Sequence, residues 1–570
     1  MKYYVEQSCI IYKEKVYDFH DIKSNVNEIK KRICANVKNK DSPIAIMTGR
    51  RPELVFSMLA LLELGIPFLN VDLKFPESKI KFMLENADIK NAIIMNTDEV
   101  KISGITPIVL NEEFIDNYSC TDIDIEKSEL AYYMFTSGTT GNPKGVQIRR
   151  KGLNNFINGV TKVIDFKAAS GIVSATAFCF DIFLLETILA LSKGLKVYLA
   201  TEEERKNPNL LMKLLKMEDV EYFQATPSLF NILKMYDAGL DCLKNMKNIM
   251  VGGECFPKSL LLLLQENTHA KIYNMYGPTE TTIWSMIADL TTEKVINIGK
   301  PVLNTQIYLL NTDNKICKNG EIGEICIAGK GVAKGYCKNE KLTSEKFILH
   351  DGIKMYRTGD MARYDKSGRL ICLGRNDFQI KLKGHRIELD EIDEAVQLFP
   401  LIQNSVTCIT SGERKEIIVF YQAQEEIKEQ DIMCFLAKRL PDYMLPNKLI
   451  RLEKLLYTQS GKADRNGMLV IYESKYRKTV KMVSDGTYDS DNFRGGIIEI
   501  LQKNIDGIQK NLNIPLSFLG CDSLKFLETV IAIEKEYDIK LDDELILNGN
   551  SITADELIEQ AGKLLKIKNM

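Results

Sequence analysis

Through the first several hundred residues, short apolar runs rich in β-branched residues alternate with longer stretches of helical periodicity. The runs AIMTG (45–49), FLNVD (68–72), NAIIMNT (91–97), KVYLA (196–200) and KIYNMYG (271–277) predict strands that close on turn-forming residues. Between them, PELVFSMLALLELG (52–65) and PSLFNILKMYDAG (227–239) space their apolar positions for helices. Such alternation predicts an α/β fold, a mostly parallel sheet covered by helices with strand-end loops open to a ligand. From 301 to 375 the spacing tightens (TQIYLLNT, GEICIAGKGV, RLICLG), which predicts a β-rich subdomain completing a large unit over 1–375. Residues 376–470 read as a small α+β unit: QIKLKG, a helix from Asp390, SVTCIT, EIIVFYQA and a helix from Asp431. Residues 471–493 are polar and charged with few aliphatics, the texture of a solvated linker. Helical periodicity then fills 494–570 (GIIEILQKNI, SLKFLETVIAIEKEY, ADELIEQAGKLLK), predicting an all-α four-helix bundle.

Composition narrows the function classes. The 570 residues suggest about four domain-sized units. With 45% hydrophobic and 8% aromatic residues, wholesale disorder is excluded. Lys plus Arg (75) nearly cancels Asp plus Glu (77), which speaks against a polyelectrolyte reader of nucleic acid or a polybasic membrane binder. The start lacks a basic head followed by a long apolar core, and LLLLLQ (260–265) is too short to span a bilayer. The thirteen Cys contain no C-x-x-C pair, against a zinc ribbon or disulfide framework. The expectation is a cytoplasmic protein with neither nucleic acid nor membrane as partner. The tail is acidic, with 9 Lys/Arg against 13 Asp/Glu over 494–568.

The strongest local signal is AYYMFTSGTTGNPKGVQI (131–148). A strand runs into Thr136, Ser137, Gly138, Thr139, Thr140 and Gly141, followed by Pro143, Lys144 and Gly145. Hydroxyl residues interleaved with Gly let N–H and O–H groups converge on phosphate oxygens without a Cβ in the way. Lys144 adds a point charge suited to a polyphosphate. A Walker loop has Gly directly before the Lys, and here that residue is Pro143, so a P-loop NTPase is excluded.

SGTTGNPKG resembles the phosphate loop of the adenylate-forming superfamily: acyl- and aryl-CoA ligases, luciferases and nonribosomal peptide synthetase adenylation domains. LELGIPFLNVD, FDIFLLE, NMYGPTETT, GEICIAGKGVAKGY, YRTGD, GRNDFQIKLKGHRIELDEIDEAV and SGKADR agree in the family's order. The likeness covers 1–470 and is strongest to the peptide-synthetase branch, through GHRIELDEIDEAV and FDIFLLE. It implies a large adenylate-forming core, a small C-terminal subdomain, and use of ATP and Mg²⁺.

The resemblance assigns roles residue by residue. Lys462 would bridge the substrate carboxylate and the α-phosphate. Glu280 would hold Mg²⁺ as a hard oxygen ligand, with Thr279 donating to the α-phosphate. Tyr276 offers a flat face to adenine and Asn274 a hydrogen bond to its edge; each is alternatively a strand-end packing residue. Gly252 is placed beside the nucleotide, Asp360 is suited to the two ribose hydroxyls, and Arg375 is similar to a nucleotide-contacting arginine. Cys372 stands where the family often has an aromatic. Asp377 corresponds to a hinge and Gly384 to a loop serving thiol attack.

Asp181 falls where amino-acid-activating members carry the carboxylate that pairs with the substrate α-ammonium; its alternative is a helix N-cap. Ile182, Leu185, Gln224, Ile249, Val251, Met275, Ile283 and Trp284 complete the implied pocket. Bulky and uncharged, they leave room for little beyond hydrogen or methyl, which favours glycine first and alanine second. LGCDSL, before an amphipathic helix, looks like a carrier-protein attachment site for 4′-phosphopantetheine at Ser523. The implied partners are a phosphopantetheinyl transferase and separate condensation, tailoring or release enzymes. Two rivals stand beside this reading: an acyl- or aryl-CoA ligase, and a degenerate scaffold that binds ATP without turnover.

Overall fold

The structure, a computed structural model, describes residues 2–37, 42–95, 102–110, 128–136, 143–375, 379–382, 385–410, 415–425, 427–452, 454–456, 465–475, 496–502, 505, 516, 523–537, 539, 541 and 552–568. Its contacts divide the chain into two compact units. One comprises Met1–Ser137 and Pro143–Arg386, and the other is built mainly from Ile387 onward.

Two sheets dominate the first unit. In the smaller, six strands run in the order Thr106–Leu110, Asn91–Met95, Ile44–Ile46, Phe68–Asn70, Leu130–Thr136, Lys144–Arg149. All neighbours are parallel except the last pair, a hairpin in which Thr136 faces Lys144. The second sheet has nine strands, with a parallel centre formed by Asn248–Gly252, Val220–Ala225, Gly171–Ser174 and Lys196–Leu199. Lys271–Tyr276 joins that centre in parallel and hands on to the antiparallel Met286–Asp289. The predicted helix at 52–65 forms as Pro52–Leu64, begun by Pro at its first turn and stopped by Gly65 at φ 80°. It is buried on nearly every face, as a helix with so few polar positions must be. One apolar cluster joins Phe68, Tyr132 and Ile148 of the first sheet to Met250, Tyr273 and Met275 of the second.

The β-rich segment predicted after 301 is a five-stranded antiparallel sheet of Thr305–Leu310, Gly323–Gly329, Ile353–Tyr364, Phe347–His350 and Leu370–Arg375. In the second unit, Ile402–Ile409, Ile417–Ala423 and Lys448–Arg451 form a three-stranded sheet with helices Leu389–Gln397, Glu429–Ala437 and Arg465–Lys475, an α+β arrangement. Asp393 ties two of these elements together, accepting from the Thr407 hydroxyl at 2.6 Å and pairing with Arg465 at 3.0 Å. The division between the units falls after Arg386 rather than at 375/376. The described part of the tail is helical, including Ser523–Tyr537 and Ala554–Lys568. Among the described residues, no helix is long and apolar enough to cross a membrane.

Candidate active site

The pleat of the large sheet sorts the predicted pocket residues. Side chains paired across parallel strands share a face, and faces alternate along each strand. Gln224 pairs with Met250, Met250 with Tyr273, and Gly252 with Met275, which places these five on one face. Phe223 pairs with Ile249, and Ala225 with Val251 and Val251 with Asn274, on the other. Met250 and Met275 share a core cluster with Leu185, Ile283 and Trp284. Ile249 and Val251 instead pack with Phe230, Leu233 and Leu261 beneath the helices Pro227–Tyr236 and Lys258–Asn267. Reading the strand one residue out of step selected Ile249 and Val251. Met250 and Gly252 are the residues that face Met275.

Gly252 is required there. A Cβ would stand 2.6 Å from the Trp284 ring and 2.7 Å from the Met275 carbonyl. At Gly253, φ is +84°, and a Cβ would be 3.7 Å from Ile182. The end of this strand therefore touches both Trp284 and Ile182 closely.

Asp181 opens the segment that carries Ile182 and Leu185, and the helix continues through a π-turn at Leu185–Leu189. Its carboxyl is buried, the Thr279 side chain beside it favours the charged form, and one oxygen, Oδ2, has no hydrogen-bond partner among the described residues. Burial pushes it up to about 6, and the nearby charge of Glu280 adds to the rise. Both amide atoms of Gln224, Nε1 of Trp284 and the Tyr132 hydroxyl are likewise buried without protein partners. Burial also raises Tyr132 well above an ordinary phenol, and the Asp181 charge contributes. This concentration of orphaned donors and acceptors suits a small ligand bearing both a cation and an acceptor.

Behind Asp181 two buried charged side chains, Arg50 and Glu186, share Ser174 and Thr176 as hydrogen-bond partners. Arg50 donates to the carbonyls of Ala200 (2.6 Å), Thr176 (2.5 Å) and Ser174, with its guanidinium over the Phe183 ring. Glu186, within the π-turn, accepts from Ser174 Oγ (3.1 Å), Thr176 N (3.0 Å) and the Thr176 hydroxyl. Burial holds Glu186 up at about 7 and Arg50 down at about 10.

A second group lies on the other side of the Lys271–Tyr276 strand. Tyr276 donates its hydroxyl to Asp360 Oδ2 at 2.5 Å, and Arg375 donates to Asp360 Oδ1 at 3.0 Å. Burial and the Asp360 charge keep the Tyr276 phenol far above its ordinary range, so it stays a donor. The Asn274 amide donates to the Asn297 carbonyl at 2.8 Å. Beyond the strand, Glu280 is fully buried and accepts from the Tyr336 hydroxyl at 2.7 Å. The turn after it is strained: β-branched Thr282 and Ile283 both have φ +67°. Thr282 holds it by donating to the Gly331 carbonyl at 2.6 Å, and Thr281 and Ser285 share a hydrogen bond at 2.7 Å.

A family model for AMP-binding enzymes matches residues 2–337, more than half of the chain. The chain belongs to the AMP-binding enzyme family. Among curated relatives, "Dimodular nonribosomal peptide synthase" of Bacillus subtilis is 33% identical over 470 residues, covering 79% of this chain and 20% of that protein. "Surfactin synthase subunit 3" of Bacillus subtilis is 30% identical over 565 residues, 95% of this chain and 43% of that protein. The chain thus spans well under half the length of these relatives. A solved peptide-synthetase protein containing adenylation and PCP domains, bound to a vinylsulfonamide inhibitor, has the same fold. Its TM-score is 0.77 at 24% identity, covering 92% of this chain and 89% of that one.

For this AMP-binding enzyme, the structure brings Asp181, Thr279 and Glu280 together, and Tyr276, Asp360 and Arg375 together. Thr136 and Lys144 pair across their hairpin. Ser137, Gly138, Thr139, Thr140, Gly141, Asp377, Gly384 and Lys462 lie outside the described residues. Ser523 is the first residue of its helix. Motif reading did not find Met250, Tyr132, Arg50, Glu186 or Tyr336. The cross-strand pairing of Gly252 with Met275 reveals the face of Met250, and the others depend on contacts between separate segments.

Proposed function

We propose that the chain joins a small α-amino acid to ATP, forming aminoacyl-AMP and pyrophosphate, and then transfers the acyl group to its own carrier tail. The observation that carries this reading is Asp181: a buried carboxylate with an orphaned oxygen, beside a second buried carboxylate. The orphaned oxygen of Asp181 is suited to a cation, and an α-ammonium supplies one. An aryl or fatty acid offers Asp181 nothing, which disfavours the CoA-ligase rival.

In the first step a carboxylate oxygen of the amino acid attacks the α-phosphorus, and the bond to the bridging oxygen of the β-phosphate breaks with pyrophosphate leaving. The obstacle is anion meeting anion, so orientation and charge cancellation supply the rate. Asp181 fixes the ammonium and Thr279 holds Asp181. Lys144 and Lys462 supply positive charge to the phosphates and the attacking carboxylate. Asp360, set by Tyr276 and Arg375, accepts from the ribose hydroxyls. The donor set fits Mg²⁺: a buried carboxylate beside a hydroxyl residue offers hard oxygens, and phosphate and water would complete the shell. When bound, Mg²⁺ supplies charge cancellation on the phosphate oxygens, with Glu280 holding it.

Substrate size follows from the sheet face. Met250, Met275, Ile283 and Trp284 are each at most 2% exposed, and Met275 and Trp284 crowd Gly252, which supports a substrate with only hydrogen or methyl on its α-carbon. Glycine is the first assignment and alanine the second.

For the second step, Ser523 at its helix start is the attachment residue. 4′-Phosphopantetheine held at Ser523 would supply a thiol nucleophile toward the acyl group. An alignment over 95% of the chain to a surfactin synthase subunit supports a carrier role for the tail, as does fold likeness over 92% to an adenylation–PCP protein. A tethered thiol gains a high local concentration at the adenylate. Asp377 would serve as the hinge and Gly384 as the close-approach point for the arm. A phosphopantetheinyl transferase and separate condensation, tailoring or release enzymes are the corresponding partners. ATP–pyrophosphate exchange with a panel of amino acids tests the reading. Glycine or alanine should lead; exchange with aryl or fatty acids alone would contradict it.

A further inference from the structure

Glu280 does not stand alone at the end of its strand. The phenol of Tyr336 donates to its Oε1 at 2.7 Å, and the Tyr356 hydroxyl lies 3.3 Å from that of Tyr336. Both tyrosines are nearly or wholly buried, Tyr336 at 5% and Tyr356 at 0% exposure. A phenol has one proton. With Tyr336's proton directed at the carboxylate, its lone pair is left to accept from Tyr356, giving a directed chain from Tyr356 through Tyr336 to Glu280. The rings are fixed independently of their hydroxyls, since Phe347 packs edge-on against Tyr336 at 5.4 Å and tilted against Tyr356 at 5.0 Å.

The backbone around Tyr336 joins two parts of the site. Ala333 N donates to the Glu280 carbonyl at 2.9 Å. On its other side the same segment pairs with the strand that begins at Lys144. Gln147 N donates to Gly335 O (3.0 Å), Lys334 N to Gln147 O (2.9 Å) and Cys337 N to Gly145 O (2.7 Å), and Val146 bridges Tyr336. The segment around Tyr336 is therefore the piece of backbone that spans from the Lys144 strand to Glu280.

We propose that Tyr336 is a positioning residue for the divalent cation: its hydroxyl sets the plane of the Glu280 carboxylate, and its backbone registers that carboxylate to the strand carrying Lys144. The inference rests on the proposed role of Glu280 as the Mg²⁺ ligand. A donor to one oxygen fixes the direction in which the carboxylate presents its remaining electron pairs, as outer-shell partners of metal ligands do. Tyr356 acts one step further out and orients the Tyr336 hydroxyl.

The test uses the full chain and reads binding of ATP by calorimetry across a Mg²⁺ titration, without turnover. Tyr336→Phe removes only the hydroxyl and keeps the ring against Phe347. The half-saturating Mg²⁺ concentration should rise roughly 10- to 100-fold, with ATP affinity in the absence of Mg²⁺ unchanged. Tyr356→Phe should move it in the same direction by a smaller factor, and so tests the chain even where the first variant folds poorly. Glu280→Gln separates the two levels of the argument. If Glu280→Gln raises the Mg²⁺ requirement while both Phe variants match the parent, the positioning role is overturned and the ligand role stands. If Glu280→Gln leaves the requirement unchanged, the ligand role falls and this inference with it.

Discussion

Replacing Asp181 by Asn keeps the shape of the side chain and removes its charge, so it isolates what that charge does. In the ligand-free protein the carboxyl is pushed from an ordinary 3.8 up to about 6, chiefly by burial. At about 1.4 kcal/mol per tenfold change, this difference corresponds to about 3 kcal/mol. The native state then holds the proton more tightly than the unfolded chain. This contribution to stability is therefore complete below 3.8, is lost between 3.8 and about 6, and stays lost at higher pH. Asp181→Asn should accordingly stabilise the empty protein by as much as about 3 kcal/mol at neutral pH and by nothing near pH 4. The same change should abolish recognition of the amine. Breaking a buried charge pair costs about 3–5 kcal/mol, which raises the amino-acid KM by about 100- to 4,000-fold. The KM for ATP should stay the same. In the parent, kcat/KM for the amino acid should climb as pH rises through about 6, following ionisation of Asp181. Thermal unfolding at the two pH values and pyrophosphate exchange measure both sides. A variant that is less stable than the parent at neutral pH, or that keeps its amino-acid KM, would refute the reasoning.

Three other substitutions probe separate parts of the site. Gly252→Ala forces a methyl to within 2.6 Å of the Trp284 ring. It should cost about 1–3 kcal/mol of stability and remove exchange activity with every amino acid, read by calorimetry and pyrophosphate exchange. Tyr276→Phe deletes a side-chain donor to Asp360 and should raise the KM for ATP roughly 10- to 150-fold while sparing the amino-acid KM, since a hydrogen bond to a charged group contributes about 1.5–3 kcal/mol. Arg50→Lys cannot serve the Ala200, Thr176 and Ser174 carbonyls together. Orphaned carbonyls at about 1–3 kcal/mol each should lower stability by roughly 3 kcal/mol in thermal unfolding.

Alternating strand and helix texture was enough to read a mostly parallel, helix-covered sheet, but not its division into a six- and a nine-stranded sheet. The elements around 44–46, 68–70, 91–95, 196–199 and 271–276 form where β-branched runs meet turn residues. Asp181, Glu280, Tyr276 and Asp360 were singled out because the short motifs that carry them resemble those of the family. Ile249 and Val251 show where such reading fails. In a strand buried on both faces no polar–apolar alternation marks the ligand side, and only the pairing of Gly252 with Met275 reveals it. Tyr336 and Arg50 escaped because their partners, Glu280 and the Ser174–Thr176 segment, are 56 and about 125 residues away. Neither spacing nor local periodicity encodes such contacts.

The central claim is that one chain both activates an amino acid and carries it. Its most direct measurement is the intact mass of protein co-produced with a phosphopantetheinyl transferase, then incubated with ATP, Mg²⁺ and glycine or alanine. The account predicts a pantetheine adduct that is lost in Ser523→Ala, and a further aminoacyl increment that requires ATP and disappears in Asp181→Asn. A chain that gains no prosthetic group, or a holo chain that acquires no amino acid from the panel, would contradict it.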